Sequence, residues 1–206
     1  MSCGLDLPFQ WDDGKFISPF VASSDEALAE LSTWMFNALL LPFKQQQSSA
    51  TLRLTDLGCG DGHALLSLCA HLFLRWGTNE DSPNASSLQM SVAGLDLDET
   101  LIDLAKQRVP SLLVSPPNHL HCVFEVADVR HCEVEQYFPL DERCSHVLFL
   151  YLLPEGLEII RDKLLQAFRR VQFVVSNRWE VPFLSKWKVA ELQRMHVYHY
   201  SDEEES

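Results

Sequence analysis

Basic residues are scarce in this 206-residue chain, which carries 16 lysines and arginines against 29 aspartates and glutamates, a formal net charge of −13. Proteins that bind nucleic acids neutralise phosphates with clustered lysine and arginine side chains, so a surface of this sign repels a phosphate backbone. The charge balance therefore disfavours a nucleic-acid substrate and suits a basic protein partner.

Several signals of other protein classes are also absent. No apolar run reaches the roughly 18 residues of a membrane span, and no lysine or arginine opens a secretory signal. The six cysteines form no C-x-x-C pair, which is typical of reduced thiols in an intracellular protein. No G-x-S-x-G sequence supports a serine hydrolase. We expect a cytoplasmic protein without a membrane span.

Metal-ligand residue types occur at His119-x-His121-Cys122 and at His131-Cys132. Alternate strand positions share one face, which could bring two of these side chains together. No second ligand pair has a regular zinc spacing, so packing is the favoured interpretation and no metal is expected.

One stretch, which reads as strand, turn and helix, organises the rest of the chain. The strand covers 52–56, the turn contains Gly58, Gly60 and Gly62, and the helix-periodic run covers 64–76. Three glycines at alternate positions let the backbone turn sharply and approach a ligand without Cβ interference. The following helix directs free backbone N–H groups towards that ligand. The stretch predicts a nucleotide-type binding turn.

The spacing of this turn differs from that of dinucleotide-binding turns. Those have the pattern G-x-G-x-x-G/A beneath a pyrophosphate, whereas here Gly62 comes one position early. The carboxylates of Asp56 and Asp61 would also repel a pyrophosphate. The turn therefore favours a nucleotide-like ligand that has no phosphate.

Strands and helices alternate along the chain. Expected strands cover 52–56, 90–96, 120–127, 144–152 and 171–176, and expected helices cover 64–76, 98–108 and 154–169, with Pro110 ending the second helix. This pattern predicts an α/β fold, a single Rossmann-like doubly wound sheet that is mostly parallel, with a C-terminal antiparallel strand within 187–200. We expect one domain over 1–206, divided into a lid and helix (1–50), a core (51–200) and an acidic tail (201–206).

A helix is expected before the sheet. Ser23 and Glu26 have the spacing of a capping box, which predicts a helix start at this point. The apolar residues Leu28, Leu31, Met35 and Leu39 then recur on one face, and the helix is expected to stop before Pro42.

Three acidic residues end successive expected strands: Asp56, Asp96 and Asp128. In a doubly wound sheet the ligand lies beyond the carboxyl ends of the strands, so these side chains are the first candidates for binding it. Asp98, two residues after Asp96, competes with it for the same role.

The pattern Asp56-x-Gly58-x-Gly60-x-Gly62, followed by Gly94-Leu95-Asp96 and Val126-Ala127-Asp128, resembles the motifs of class I S-adenosylmethionine (SAM) methyltransferases. The resemblance implies SAM as cofactor and S-adenosylhomocysteine (SAH) as product. It also implies that Asp96 accepts the ribose hydroxyls and that Asp128, with the backbone of Val129, accepts the adenine amino group. The implied cofactor site comprises Asp56, Gly58, Cys59, Gly60, Asp61, Gly62, Asp96, Leu97, Asp128 and Val129.

Two flanking pieces, Pro19-Phe20-Val21-Ala22-Ser23 and the segment 150–157, resemble the small protein-lysine methyltransferases that include modifiers of mitochondrial membrane carriers and of the ATP-synthase rotor subunit. This narrower resemblance implies N-methylation of a lysine in a protein substrate. The chain lacks the hydrophobic targeting segment of those mitochondrial relatives, so the resemblance does not by itself imply the same substrates. It also lacks the Asn/Asp-Pro-Pro-Tyr sequence typical of base and amide methylation.

Two further roles are expected within this reading. Tyr151 and Glu155 follow the fourth strand of the core and are the candidates to orient the substrate amine. Residues 17–26, with Phe20 and Ser23, are expected to close over the cofactor, unless Phe20 packs only on its own helix. A small-molecule methyltransferase and a non-catalytic SAM-fold binding protein remain as alternatives.

Overall fold

The computed structural model describes residues 11–12, 15–16, 21–77, 87–112, 119–141 and 143–201. Its strands are β1 (Trp11–Asp12), β2 (Lys15–Phe16), β3 (Ala50–Leu57), β4 (Leu88–Asp96), β5 (Leu120–Val126), β6 (Ser145–Leu150), β7 (Phe173–Asn177), β8 (Lys188–Leu192) and β9 (Met195–Tyr198). Its α-helices are α1 (Asp25–Met35), α2 (Leu41–Gln45), α3 (His63–Trp76), α4 (Glu99–Leu112), α5 (Val134–Tyr137), α6 (Pro154–Ile159) and α7 (Arg161–Phe168).

Within the described ranges, seven strands form one sheet in the order β5-β4-β3-β6-β7-β9-β8. The first five strands in this order are parallel, and β9 pairs antiparallel with both β7 and β8. β3 lies at the point where the strand order reverses, with β4 on one side and β6 on the other. The predicted fold class, a mostly parallel Rossmann-like sheet with antiparallel C-terminal strands, is confirmed.

Helices cover both faces of the sheet, as the apolar strands predict. One core cluster contains buried residues of α1, α3 and α4, represented by Leu28, Leu65 and Ile102. The second cluster, which includes Leu157 of α6 and Leu164 of α7, contains residues of α5, α6 and α7. The two clusters bury most of the central strands β3, β6 and β7, whereas the edge strands β5 and β8 stay partly exposed.

The N-terminal helix differs in its details from the sequence prediction. Its N-cap is Ser24, whose hydroxyl accepts a hydrogen bond from the Ala27 N–H at 3.3 Å, so the predicted capping box of Ser23 and Glu26 is wrong. The predicted apolar face is correct, since Leu28, Leu31, Met35 and Leu39 are all buried.

The predicted stop before Pro42 is also wrong. A five-residue π-helical turn (Phe36–Leu40) leads directly into α2, where Pro42 occupies the second position. The first positions of a helix have no intrahelical partner for their N–H groups, so proline is tolerated there. A new α-helix therefore begins directly after the π-helical turn, and the proline lies in its first turn.

Two other helix boundaries need correction. α4 continues through Pro110 to Leu112, so Pro110 lies in its last turn and does not end it. The single helix expected over 154–169 is two helices, because Ile160 (φ −95°, ψ 10°) interrupts the helical backbone between α6 and α7.

Candidate functional site

The glycine turn follows β3 at the carboxyl edge of the sheet. Gly58, Gly60 and Gly62 all have positive φ, at 92°, 54° and 72°, a region that other residues rarely adopt. The N–H groups of Gly58 and Cys59 both donate to the Leu95 carbonyl, at 2.8 and 2.9 Å. These two bonds hold the turn against the end of the neighbouring strand β4.

Gly62 of the turn and Gly94 of β4 allow close packing beneath the turn. A Cβ on Gly62 would lie 2.9 Å from the Ala105 Cβ and 3.1 Å from the Phe124 ring. A Cβ on Gly94 would lie 2.5 Å from the same ring and 2.8 Å from the Cys59 sulfur. Phe124 of β5 therefore forms the floor of the site, a role that the sequence pattern did not reveal.

Asp96 supports the turn directly. Its Oδ2 accepts from the Gly60 N–H at 2.8 Å, and its Oδ1 accepts from the Asp98 N–H at 3.0 Å. Asp98 has a different local task, since its Oδ1 accepts from the Thr100 N–H at 2.8 Å and so caps the start of α4. The geometry brings Asp96 to the glycine turn and leaves Asp98 at the exposed helix start.

Asp56 is the most unusual group of the site. Its side chain is buried, with 2% of the residue exposed, and its Oδ1 has no hydrogen-bond partner among the described residues. Burial and the nearby Asp96 carboxylate raise the pKa of Asp56 well above its ordinary value. A buried carboxylate without a partner is costly, and a cationic group placed next to it would remove that cost.

Asp56→Asn should therefore increase stability. When the pKa of an acid is raised in the folded state, the unfolded state releases the proton first, so the folded protein loses stability as the pH rises above the unfolded pKa of about 3.9. An amide does not ionise and avoids that loss. We expect the variant to gain about 1–3 kcal/mol at pH 7, and to match the wild-type chain near pH 4. Denaturant unfolding at both pH values measures the difference. Asp103→Asn, at an exposed carboxylate, is the control, and a variant less stable than wild type at pH 7 would contradict the account.

Asp61 joins the turn to two helices. Its Oδ1 accepts from the His63 N–H at 3.2 Å at the start of α3, and its Oδ2 lies 2.6 Å from Arg108 Nη1 of α4. The His63 N–H, expected to be free for a ligand, is thus already bonded. The Arg108 partner makes Asp61 part of the frame around the turn. Asp61 is also buried, with 7% of the residue exposed, but unlike Asp56 both of its carboxylate oxygens have partners.

The third acid at a strand end, Asp128, follows β5. Arg130 holds its carboxylate at 2.9 and 2.6 Å, and these hydrogen bonds keep the pKa of Asp128 below its ordinary value despite partial burial. The neighbouring Val129 packs against the second core cluster. Any donor that approaches Asp128 would share this carboxylate with Arg130.

The residues after β6 lie beside the glycine turn. A Cβ on Gly58 would approach Leu152 Cδ2 to 2.9 Å, so Leu152 covers the first glycine of the turn. Tyr151 is half-buried and packs against the first core cluster, whereas Glu155 is exposed in the first turn of α6. Both predicted acceptor residues therefore lie at the carboxyl edge, at different depths.

The chain segment before α1 reaches the same edge. Asn177, the last residue of β7, donates from Nδ2 to Ser23 Oγ at 2.9 Å, and both residues are buried. Asp25 Oδ1 lies 3.0 Å from His63 Nε2 at the start of α3. Sequence reasoning did not find Asn177, because only the fold places it beside Ser23. Phe20, the other predicted lid residue, lies outside the described residues, as does the acidic tail beyond Ser201.

Other chemistry at this site is limited. Burial, followed by the Asp56 and Asp96 charges, raises the pKa of the Cys59 thiol, which disfavours the reactive thiolate. No group of three or more potential metal-ligating side chains comes together in the part of the chain that the structure describes. None of the helices in the described ranges has the length and apolar character needed to cross a membrane.

No family model and no curated protein sequence matches the chain. Solved structures share its fold. An RNA methyltransferase from Salinibacter ruber in complex with S-adenosyl-L-homocysteine is 18% identical, with a TM-score of 0.50 over 87% of this chain and 92% of that chain. The METTL16 MTase domain is 12% identical, with a TM-score of 0.53 over 89% of this chain and 71% of that chain. At these identities the likeness establishes a Rossmann-like methyltransferase fold.

Proposed function

We propose that this chain is a SAM-dependent methyltransferase that methylates the side-chain nitrogen of a lysine in a protein substrate. The observation that carries the proposal is the buried Asp56 carboxylate beside the three-glycine turn at the switch point of the sheet. One of its oxygens has no hydrogen-bond partner among the residues that the structure describes. SAM brings a sulfonium and an ammonium group, and both carry the positive charge that would pair with this carboxylate. A dinucleotide brings a pyrophosphate, which the carboxylate would repel.

The roles of the remaining cofactor residues are assigned from where they lie relative to the glycine turn. Asp96 would accept the ribose hydroxyls while it holds the Gly60 N–H, and Asp128 with Val129 would border the adenine. The positive-φ glycines let the backbone turn sharply where the ligand would bind. The proposed cofactor set is Asp56, Gly58, Cys59, Gly60, Asp61, Gly62, Asp96, Leu97, Asp128 and Val129. Phe20 and Ser23 are proposed as lid residues over the cofactor.

Bound SAM would supply an activated methyl group, so that the new N–C bond forms as the S–C bond breaks and SAH leaves. The chain contributes alignment and exclusion of water. The lysine must be neutral to attack, and with an ordinary pKa near 10.4 its deprotonation at pH 7 costs about 4.6 kcal/mol. Burial of the amine in an apolar pocket lowers that cost. The amine's proton is lost to solvent.

A protein acceptor suits the charge of the chain better than RNA does, although the solved structures with this fold include an RNA methyltransferase. Transfer of a tritiated methyl group from SAM into a cell lysate tests the choice. We expect label that is removed by protease and left by ribonuclease. Label that ribonuclease removes would identify RNA as the methyl acceptor, and label in small molecules would favour a small-molecule methyltransferase. No label with SAH still bound would favour a non-catalytic binding protein.

Tyr151→Phe should lower turnover and leave cofactor binding nearly intact. The phenol oxygen is the group we assign to orient the amine, together with Glu155, and loss of alignment costs about tenfold to a hundredfold in rate. Methyl incorporation into lysate protein and calorimetric titration with SAH measure the two effects. An equal loss of rate and of SAH affinity would make Tyr151 a cofactor or packing residue.

A further inference from the structure

The segment 21–25, which precedes and begins α1, is attached at two points of the carboxyl edge. Ser23 accepts the Asn177 hydrogen bond at the end of β7, and the Asp25 carboxylate contacts His63 at the start of α3. Ser23 and Asn177 are 7% and 5% exposed and lie 154 positions apart in sequence. This is a buried polar contact, so the loss of either partner would leave the other unsatisfied.

The strand order fixes where this segment runs. β6 lies between β3, which leads into the glycine turn and α3, and β7, which ends at Asn177. A segment attached to both the α3 start and the β7 end therefore crosses the carboxyl end of β6. Tyr151 follows β6 directly and is therefore the first residue beyond the strand end that this path crosses.

The backbone after Asn177 is constrained as well. Arg178 has a φ of 71°, in the left-handed region that favours glycine, and the Ser176 hydroxyl donates to the Trp179 carbonyl at 2.6 Å. Non-glycine residues in this region are held there by their surroundings, and such positions concentrate at functional sites. The turn fixes the direction in which the Asn177 side chain leaves the strand.

We propose that Asn177 is a positioning residue for methyl transfer, which holds Ser23 so that the segment 21–25 forms one wall of the acceptor site above Tyr151. The inference rests on the proposed function, because the acceptor site is the place where the substrate nitrogen meets the methyl group. Most of the proposed cofactor contacts come from β3, β4 and β5, away from β7. The contact therefore acts on the reaction more than on cofactor affinity.

The test uses Ser23→Ala, Asn177→Ala and the double variant. Two quantities are compared: the dissociation constant of SAH by calorimetry, and the rate of methyl incorporation from tritiated SAM into lysate protein. We expect each single variant to lose about tenfold to a hundredfold in rate and less than threefold in SAH affinity. The double variant should lose no more rate than the worse single variant, because all three variants remove the same hydrogen bond.

Ser32→Ala is the matched control. It removes the hydroxyl of another buried serine, within α1, which donates to the Ala29 carbonyl at 2.7 Å, and it leaves the Ser23–Asn177 contact in place. It should lower stability by about 1 kcal/mol and keep the methyl-transfer rate. A rate loss in Ser32→Ala equal to that in Ser23→Ala, additive losses in the double variant, or a parallel loss of SAH affinity would overturn the positioning role.

Hydrogen exchange separates failure of this inference from failure of the proposed function. In the ligand-free protein, Asn177→Ala should speed amide exchange in residues 21–28, whether or not the chain is an enzyme. No SAH binding by the wild-type protein would reject the function and with it this role. SAH binding and methyl transfer with unchanged exchange in Asn177→Ala would reject the role of Asn177 alone.

Discussion

Gly62→Ala should lower the free energy of unfolding by about 2–5 kcal/mol. The φ of 72° at this position costs a residue with a Cβ roughly 1–2 kcal/mol. The new Cβ also meets the Ala105 Cβ at 2.9 Å and the Phe124 ring at 3.1 Å, and such overpacking costs about 1–3 kcal/mol. Thermal unfolding measures the result, at roughly 2–4 °C of Tm for each kcal/mol in a chain of this size.

A double-mutant cycle with Ala105→Gly isolates the packing part. Removing the Ala105 Cβ relieves the shortest of these contacts, so the second substitution should cost less in the Gly62→Ala background than in the wild-type chain. We expect a coupling of about 0.5–3 kcal/mol. Strict additivity, or a Gly62→Ala variant as stable as wild type, would show that α3 and α4 do not approach each other as closely as described.

Asp96→Ala should weaken SAH binding by about 1.5–3 kcal/mol, or about tenfold to 150-fold in the dissociation constant. The substitution removes the proposed acceptor of the ribose hydroxyls. It also frees the Gly60 N–H, which in the wild-type chain donates a hydrogen bond to Asp96 Oδ2 at 2.8 Å. Both changes act on the ligand-binding turn. Isothermal titration calorimetry measures the affinity directly.

Asp98→Ala is the control for this prediction. It removes the side-chain cap of α4, bonded to the Thr100 N–H, and should lower stability by about 1 kcal/mol. Its SAH affinity should stay within threefold of the wild-type value. Loss of affinity in Asp98→Ala together with full affinity in Asp96→Ala would assign the ribose contact to Asp98.

The features predictable from the sequence were those that depend on local periodicity. The apolar runs of β3, β4, β6 and β7 and the periodic face of α3 lie near their predicted positions, because a strand or helix buried on a fixed face requires that pattern. Acids at the ends of parallel strands were predictable for the same reason: parallel strands end at one edge. The approach of Asp96 to the glycine turn follows from this rule.

The features that sequence reasoning missed depend on contacts between distant parts of the chain. Ser23 and Ser24 are equally good caps, and only the bond from Asn177 shows that Ser23 is used elsewhere. Pro42 predicts the end of a helix, but the π-helical turn in front of it lets the helical path continue. The Asp56 oxygen without a partner in the described ranges is likewise invisible in sequence, because the burial of a side chain and the donors around it are properties of the assembled sheet.

Thermal unfolding with SAM and with NAD in parallel tests most directly that this turn binds a cationic nucleoside cofactor. SAM at about a hundred times its dissociation constant should stabilise the protein by roughly 2.7 kcal/mol, and NAD at the same concentration should leave the Tm unchanged. Stabilisation by NAD and none by SAM would contradict the assignment of Asp56 and the glycine turn to SAM.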